Sequence, residues 1–228
     1  MNTNSNGYTI GYAAVMVVIV AFLLAFVSSV LKPTQDKNVE LDKKKQILAA
    51  LNQRGLEKNS IEATYTALVK SDLIINEDGS VKAEEGGFKA TNSELVVYVC
   101  EVEGAKKYVF PVTGKGLWGG LWGYIALNDD FQTVFGVYMS HESETAGLGS
   151  VIAEEKFQKK FDGKSVFAEG DAEKVALTVV KAGKVANDAV EVDGITGATL
   201  TCNGVAAMVN GGLQNYVNFF NVNKVSNE

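Results

Sequence analysis

The chain has 228 residues, a formal net charge of −6, a pI near 5.0 and no Lys/Arg-rich block, which argues against a nucleic-acid partner. Its two cysteines and single histidine exclude a Cys-only or His-His zinc site and a four-thiolate iron–sulfur cluster held by this chain alone, so no metal site is expected.

The elements follow in chain order. Residues 1–31 carry no charged side chain, and residues 13–27 are unbroken Ala, Val, Met, Ile, Phe and Leu. Residues 12–31 make a 20-residue helix of about 30 Å, the thickness of a bilayer's hydrocarbon core. Lys32 and Pro33 are expected to close it. A cleaved signal peptide would need a basic start, a shorter apolar run and a small-residue cleavage site. None of these is present, so residues 1–11 read as a tail and residues 12–31 as a retained single-pass anchor in a lipid bilayer. Lys32, Lys37, Lys43, Lys44 and Lys45 all follow the span, and the positive-inside rule would place that side in the cytoplasm. Asp36, Glu40 and Asp42 interleave with them, and long domains translocate regardless of flanking charge, so charge alone leaves the orientation open.

Residues 32–90 read as a helical stalk or the N-terminal part of a soluble domain, and residues 91–228 as the main domain. Val39, Ile47, Leu48 and Leu51 among many charges predict a surface helix, and a second through Ile61, Tyr65 and Leu68 is expected to be capped by Asn59 or Ser60. Asp78-Gly79 predicts a turn between short strands. Strands are predicted at residues 94–100, 107–112, 121–127, 133–139 and 176–181, with helical character at 153–161. Val205, Met208, Val209, Leu213, Tyr216, Val217 and Phe220 recur at helical steps near the C-terminus. The sum is an α+β chain: a single N-terminal transmembrane helix, then a largely antiparallel sheet flanked by helices. Cys100 reads as a buried strand residue; a disulfide with Cys202 is left open by the sequence.

Two nucleotide motifs fail on context. Gly114-Lys115-Gly116-Leu117-Trp118-Gly119 satisfies G-x-G-x-x-G, but Trp122, Tyr124 and Ile125 continue as a strand where a dinucleotide site needs a helix start. Gly163-Lys164-Ser165 lacks the earlier P-loop glycine, because Gln158 stands there.

Three other stretches carry chemistry. Asp193-Gly194-Ile195-Thr196-Gly197-Ala198-Thr199-Leu200-Thr201 leads into the C-terminal helical pattern, so Thr199 or Thr201 falls at or near a helix N-terminus, which favours a phosphate. Gly197 and Ala198 leave room for a large group; the simpler reading is a tight turn and a capped helix. Leu117 and Trp118 in the 116–119 loop could form one wall for an aromatic ring. His141-Glu142-Ser143-Glu144-Thr145-Ala146-Gly147-Leu148-Gly149 offers Glu144, Thr145 and backbone amides as polar contacts and Leu148 as an apolar one; alone it also fits a glycine-rich turn.

The Thr196-Gly197-Ala198-Thr199 stretch resembles the Ser/Thr-Gly-Ala-Thr flavinylation motif of the FMN-binding subunits of bacterial respiratory complexes. The 141–149 loop is similar to the His-x-Glu-Thr-Pro-Gly-Leu-Gly signature of FMN-binding domains, with Ala146 for Pro and one extra residue between His141 and Glu144. Together with Leu31-Lys32-Pro33-Thr34-Gln35-Asp36, Asn38 and Leu41 after the apolar run, the pattern resembles the NqrC family, the FMN-binding subunits of the sodium-translocating NADH:quinone reductase. The corresponding FMN-binding subunit of the related Rnf complex shares the domain and the motif.

The resemblance implies an FMN-binding domain with FMN joined covalently, through its phosphate, to the Thr199 hydroxyl by a dedicated flavin transferase. It implies flavin contacts from Thr196, Gly197, Ala198, Leu117, Trp118, Glu144, Thr145, Gly147, Leu148 and Gly149. It also implies an electron carrier between an iron centre and a second flavin in neighbouring membrane subunits, within a Na⁺-transporting NADH:ubiquinone or menaquinone oxidoreductase of the bacterial inner membrane. The soluble domain would then be periplasmic, and NADH and quinone would bind elsewhere in the complex. Two other classes compete: a membrane-tethered assembly module that carries no flavin, and a stand-alone flavin reductase, which would need a donor site that no motif here supplies.

Overall fold

The computed structural model describes residues 5–91 and 93–224 and separates into two compact units, residues 1–43 and 44–228. In the first unit every apolar side chain of the predicted span is exposed, among them Val15, Val18, Phe22, Leu24 and Phe26. An apolar helix surface with no protein against it suits lipid. Helix α1 runs Asn6–Ala50, so it starts before the expected span and does not stop at Pro33. Proline removes one backbone bond, to the carbonyl four residues earlier. That carbonyl belongs to Ser29, past the unbroken apolar run of residues 13–27, and good helix formers such as Gln35, Lys37, Glu40 and Leu41 resume the helix.

In the second unit α1 ends in a Schellman motif. Asn52 takes the left-handed conformation at φ 60°, its N–H bonds to Ala49 O at 3.1 Å, and Gln53 N–H bonds to Leu48 O at 2.9 Å. Helix α2 (Lys58–Leu68) begins after Glu57, not after Asn59 or Ser60. Ser60 donates its hydroxyl back to Glu57 O at 2.9 Å and is already helical, so neither predicted residue caps the helix.

Strands β1 (Val69–Ile75), β2 (Val81–Ala83), β3 (Leu95–Val102), β4 (Ala105–Lys115), β5 (Gly120–Asn128) and β6 (Val134–His141) form one sheet in the order β2-β1-β3-β4-β5-β6, antiparallel throughout. Gly79, at φ 86°, makes the turn after Asp78. Strands β1 and β2 therefore contribute to this sheet from within residues 32–90. Pro111 sits in β4 beyond Val109, where pairing with β3 has ended and only β5 runs alongside.

The predicted helix at 153–161 is broken: a 3-10 turn at Gly149–Ala153, then α3 (Glu155–Gln158) and a second 3-10 turn at Lys159–Phe161. Strands β7 (Thr178–Val180) and β8 (Glu191–Asp193) form a short parallel pair. The C-terminal periodicity is shared between α4 (Thr199–Gln214) and α5 (Val217–Lys224).

Two cores flank the sheet. Ile47, Ala50 and Leu51 pack with Tyr98, Val109 and Tyr124 on one face. On the other, α4, α5 and the turn between them bury Val205, Met208, Val209, Leu213, Tyr216 and Phe220 against Phe110, Val112, Ile125 and Phe131. Helix α4 lies very close to β4 because glycines face the strand. A Cβ on Gly114 would fall 2.7 Å from Met208 Cβ, one on Gly212 would fall 2.6 Å from Val112 Cγ1, and one on Gly204 would collide with Lys115 O. That contact fixes the start of α4 beside the end of β4, and so sets the place of the functional loops.

Candidate functional site

Three loops meet at one end of the sheet. The first is the β4–β5 hairpin tip. Lys115 pairs with Gly120 and Gly116 N–H donates to Gly119 O at 2.9 Å, so the 116–119 stretch is a four-residue loop between strands, not a dinucleotide turn before a helix. Leu117 and Trp118 are exposed at its tip, Trp118 to 66%. Ser143 Oγ donates to Trp118 O at 2.9 Å, and Glu142 accepts from Gly120 N–H at 3.2 Å, which ties the tip to the second loop.

The second loop leaves β6 at His141, which pairs with Leu121 across the sheet. Glu144 N–H donates to His141 Nδ1 at 3.2 Å. The Glu144 carboxylate turns inward and is only 7% exposed. It accepts from Trp118 N–H at 2.9 Å and from Thr201 Oγ1–H at 2.6 Å, and the Leu117 N–H also faces it. Burial opposes its ionisation, but these three donors prevail and hold the carboxyl below the usual glutamate range. Two glycines make room for it. A Cβ on Gly116 would collide with Glu144 Oε1, and one on Gly149 would fall 2.5 Å from Oε2 and 2.6 Å from Thr201 Oγ1. Glu144 thus joins all three loops through one side chain.

The third loop follows β8. Ala198 N–H donates to Ile195 O at 3.1 Å, closing a turn in which Gly197 holds φ 81°, a conformation that disfavours any side chain. Helix α4 begins at Thr199. Its N-cap is Ala198, with no side-chain cap, so neither nearby threonine plays the capping part of the simpler reading. Thr199 is exposed at the first helical position, whereas Thr201 is 2% exposed and its hydroxyl is committed to Glu144. The first-turn amides of α4 have no acceptor within their own helix and point outward with the positive end of the helix dipole.

Leu117, Glu144, Thr145, Leu148, Gly149, Gly197, Ala198, Thr199, Leu200 and Thr201 line one groove of about 200 Å³. Of the residues anticipated from sequence, Thr196, Gly147 and Trp118 lie beside this groove in sequence but do not line it. Leu200, exposed to 58%, lines it too, and its only sequence signal is an apolar residue between two threonines at a helix start. Leu117, Leu148 and Leu200 leave an apolar surface around Thr199 that the protein does not cover. Cys202, one turn into α4, accepts from Ile195 N–H at 3.3 Å; it and Cys100 are both free buried thiols. Among the described residues no cluster of three or more His, Cys, Asp or Glu is placed to hold a metal.

This geometry can be set against known proteins. The FMN-binding domain family matches residues 116–214, which span all three loops. The Na(+)-translocating NADH-quinone reductase subunit NqrC of Haemophilus ducreyi is 30% identical over 230 residues, covering 90% of this chain and 88% of that protein. Among solved structures, the same subunit of the Na(+)-translocating NADH-quinone reductase from Parabacteroides distasonis superposes with a TM-score of 0.77 at 36% identity, covering 83% of this chain and 96% of its own. Shewanella oneidensis NqrC gives a TM-score of 0.71 at 26% identity, covering 82% of this chain and 99% of its own.

Proposed function

The chain belongs to the NqrC family of Na(+)-translocating NADH-quinone reductase subunits, and from that premise we propose that it carries FMN on Thr199 and relays electrons within that complex. The residues present fit the cofactor. An exposed hydroxyl stands at the first position of a 16-residue helix, beside outward amides that favour a phosphate. Gly197 leaves the approach open: a Cβ there would meet Leu148 Cδ2 at 3.0 Å. Leu117, Leu148 and Leu200 supply an apolar surface for a ring, and Trp118 extends it at the hairpin tip.

FMN supplies the electron chemistry, accepting and releasing electrons one or two at a time. Each residue then has a separate task. Thr199 Oγ is the attachment point for the phosphate, as a phosphoester formed by a flavin transferase. Thr145 lines the groove and offers its hydroxyl there, whereas the amides of Glu142, Glu144, Gly147 and Leu148 are already bonded within the protein and hold the loop's shape. Glu144 holds the three loops in register, keeping its own carboxylate inside the protein. A groove of about 200 Å³ lies below the roughly 300 Å³ at which ligand pockets usually begin, so part of the cofactor would remain outside it. Such a seat suits a carrier that must be approached closely by redox partners.

The observation that carries the reading is the contrast between the two threonines: Thr199 exposed at the helix start, Thr201 buried on Glu144. The role between an iron centre and a second flavin, the periplasmic placement and the neighbouring membrane subunits follow from the family resemblance and complete the proposal. The test is to purify the chain after co-expression with a flavin transferase and titrate it with dithionite. Flavin absorbance that bleaches on reduction and returns on oxidation is expected. A colourless protein would leave the tethered assembly module as the better account.

A further inference from the structure

Strand β6 is an edge of the main sheet, with outward carbonyls that no strand pairs beyond its first residues. Three side chains take them in turn. Asn52 Nδ2 donates to Phe135 O at 2.8 Å, Arg54 Nη2 to Val137 O at 2.7 Å, and Gln158 Nε2 to Met139 O at 2.8 Å. The steps of two match the pleat, so residues 52–54 and Gln158 seal the edge without being a strand. Gly136 makes the approach possible, since a Cβ there would fall 2.5 Å from Ala50 O and 2.9 Å from Asn52 Nδ2.

Gln158 does more than seal. It is fully buried, and its Nε2 also donates to Ile152 O at 3.1 Å. Met139 and Ile152 flank the 141–149 loop, one in the strand before it and one in the 3-10 turn after it. One amide nitrogen therefore holds both ends of that loop. Arg54 Nη2 donates to Gln158 Oε1 at 2.8 Å, which fixes which way the amide faces. The Arg54 Nε is buried without an acceptor, so both of these bonds depend on Nη2 alone.

We propose that half-buried Arg54 and buried Gln158 form a clip that positions the 141–149 loop against Thr199, so that the flavin seat is set partly by a residue outside the FMN-binding domain match at 116–214. These are positioning residues; neither lines the groove. The consequence for the cofactor rests on the function proposed above, whereas the consequence for the loop does not.

The experiment uses the full chain in detergent, with and without flavin transferase co-expression. Amide hydrogen exchange is compared for wild type, Arg54→Met, Gln158→Glu and Asn52→Gly. Gln158→Glu keeps an acceptor for Arg54 but loses both Nε2 donations, so it separates the ion contact from the grip on the loop. Asn52→Gly keeps the left-handed cap and removes only the bond to Phe135 O. In unflavinylated protein, Arg54→Met and Gln158→Glu are expected to speed exchange across residues 147–153 by about tenfold. Exchange in β3 and β4 should be unchanged, and Asn52→Gly should leave the loop as in wild type. In flavinylated protein the same two variants should shift the flavin's midpoint potential and fluorescence yield, and Arg54→Lys should restore part of the difference. Unchanged exchange at 147–153, or an equal rise across β3 and β4, would overturn the clip. If the wild type takes up no flavin, the function proposed above fails, and the exchange result alone still decides the clip.

Discussion

Replacing Glu144 by Gln and by Leu should give two sharply different stability losses, because one keeps the junction's hydrogen bonds and the other abandons them. In wild type the carboxylate accepts from Thr201 Oγ1–H at 2.6 Å and from Trp118 N–H at 2.9 Å, and the Leu117 N–H also faces it. A Gln can turn its carbonyl to the two backbone amides and donate its NH₂ to Thr201 Oγ1, whose hydroxyl rotates to accept. What is lost is charge assistance, which roughly doubles such bonds, so a cost of about 1–2 kcal/mol is expected. Leu leaves the Trp118 and Thr201 donors without an acceptor at about 1–3 kcal/mol each, and removes the charge that the Leu117 N–H faces. Water can reach the hairpin tip beside exposed Trp118, so the sum should fall near 3–5 kcal/mol rather than at the upper limit. Urea unfolding followed by far-UV circular dichroism gives the global values. The chain's two tryptophans, Trp118 and Trp122, lie on this hairpin and report its local state by fluorescence. The pH dependence adds an independent check. The folded carboxyl is held below its ordinary value of 4.5, so its stabilisation is complete above that pH and is lost as pH falls through the lower folded value. Glu144→Gln should therefore flatten the acid limb of the stability curve below about pH 4.5. Equal losses for Gln and Leu, with an unaltered acid limb, would refute the junction.

The packing around the same carboxylate predicts that Gly149→Ala lowers the unfolding midpoint and loosens the loop, since its Cβ would press on Glu144 Oε2 and Thr201 Oγ1; overpacking of this kind costs about 1–3 kcal/mol, and thermal melting measures it. Both thiols should resist an aromatic disulfide reagent until the protein is unfolded, because burial raises the Cys202 thiol and pushes Cys100 up to about 12; two fast-reacting equivalents in native protein would contradict this. If the domain is periplasmic, as proposed, protease added to spheroplasts should digest residues 44–228, whereas protection until the membrane is lysed would place the domain in the cytoplasm.

The fold was legible where a single segment carries its own signal. Residues 12–31 announce an apolar helix by length and composition alone, and β3 to β6 announce themselves by Val, Tyr and Phe between turn residues. Pro33 misled, because the bond it removes and the clash of its ring with the carbonyl four residues earlier are local, and the helix continues through good helix formers on its far side. The C-terminal periodicity runs through the interruption at Asn215, since both α4 and α5 face the same core and share its phase.

At the site, the threonines and glycines stood out, yet their division of labour did not. Thr199 and Thr201 look alike in sequence; what separates them is a carboxylate 57 residues away. Glu144 invites a reading as a ligand contact, and only the three-loop junction shows that its bonds run inward. The glycines of the 116–119 and 141–149 loops serve that carboxylate as much as any cofactor. Arg54 and Gln158 had no local signal at all, because the clip exists only once β6 is an edge strand.

The central claim is tested most directly by intact mass and in-gel flavin fluorescence of the chain co-expressed with a flavin transferase, beside Thr199→Val and Thr201→Val. The account predicts one FMN, retained after denaturation, on the wild type and on Thr201→Val, and none on Thr199→Val. Denaturation-resistant flavin that survives in Thr199→Val and disappears in Thr201→Val would contradict the assignment of the exposed hydroxyl as the attachment point.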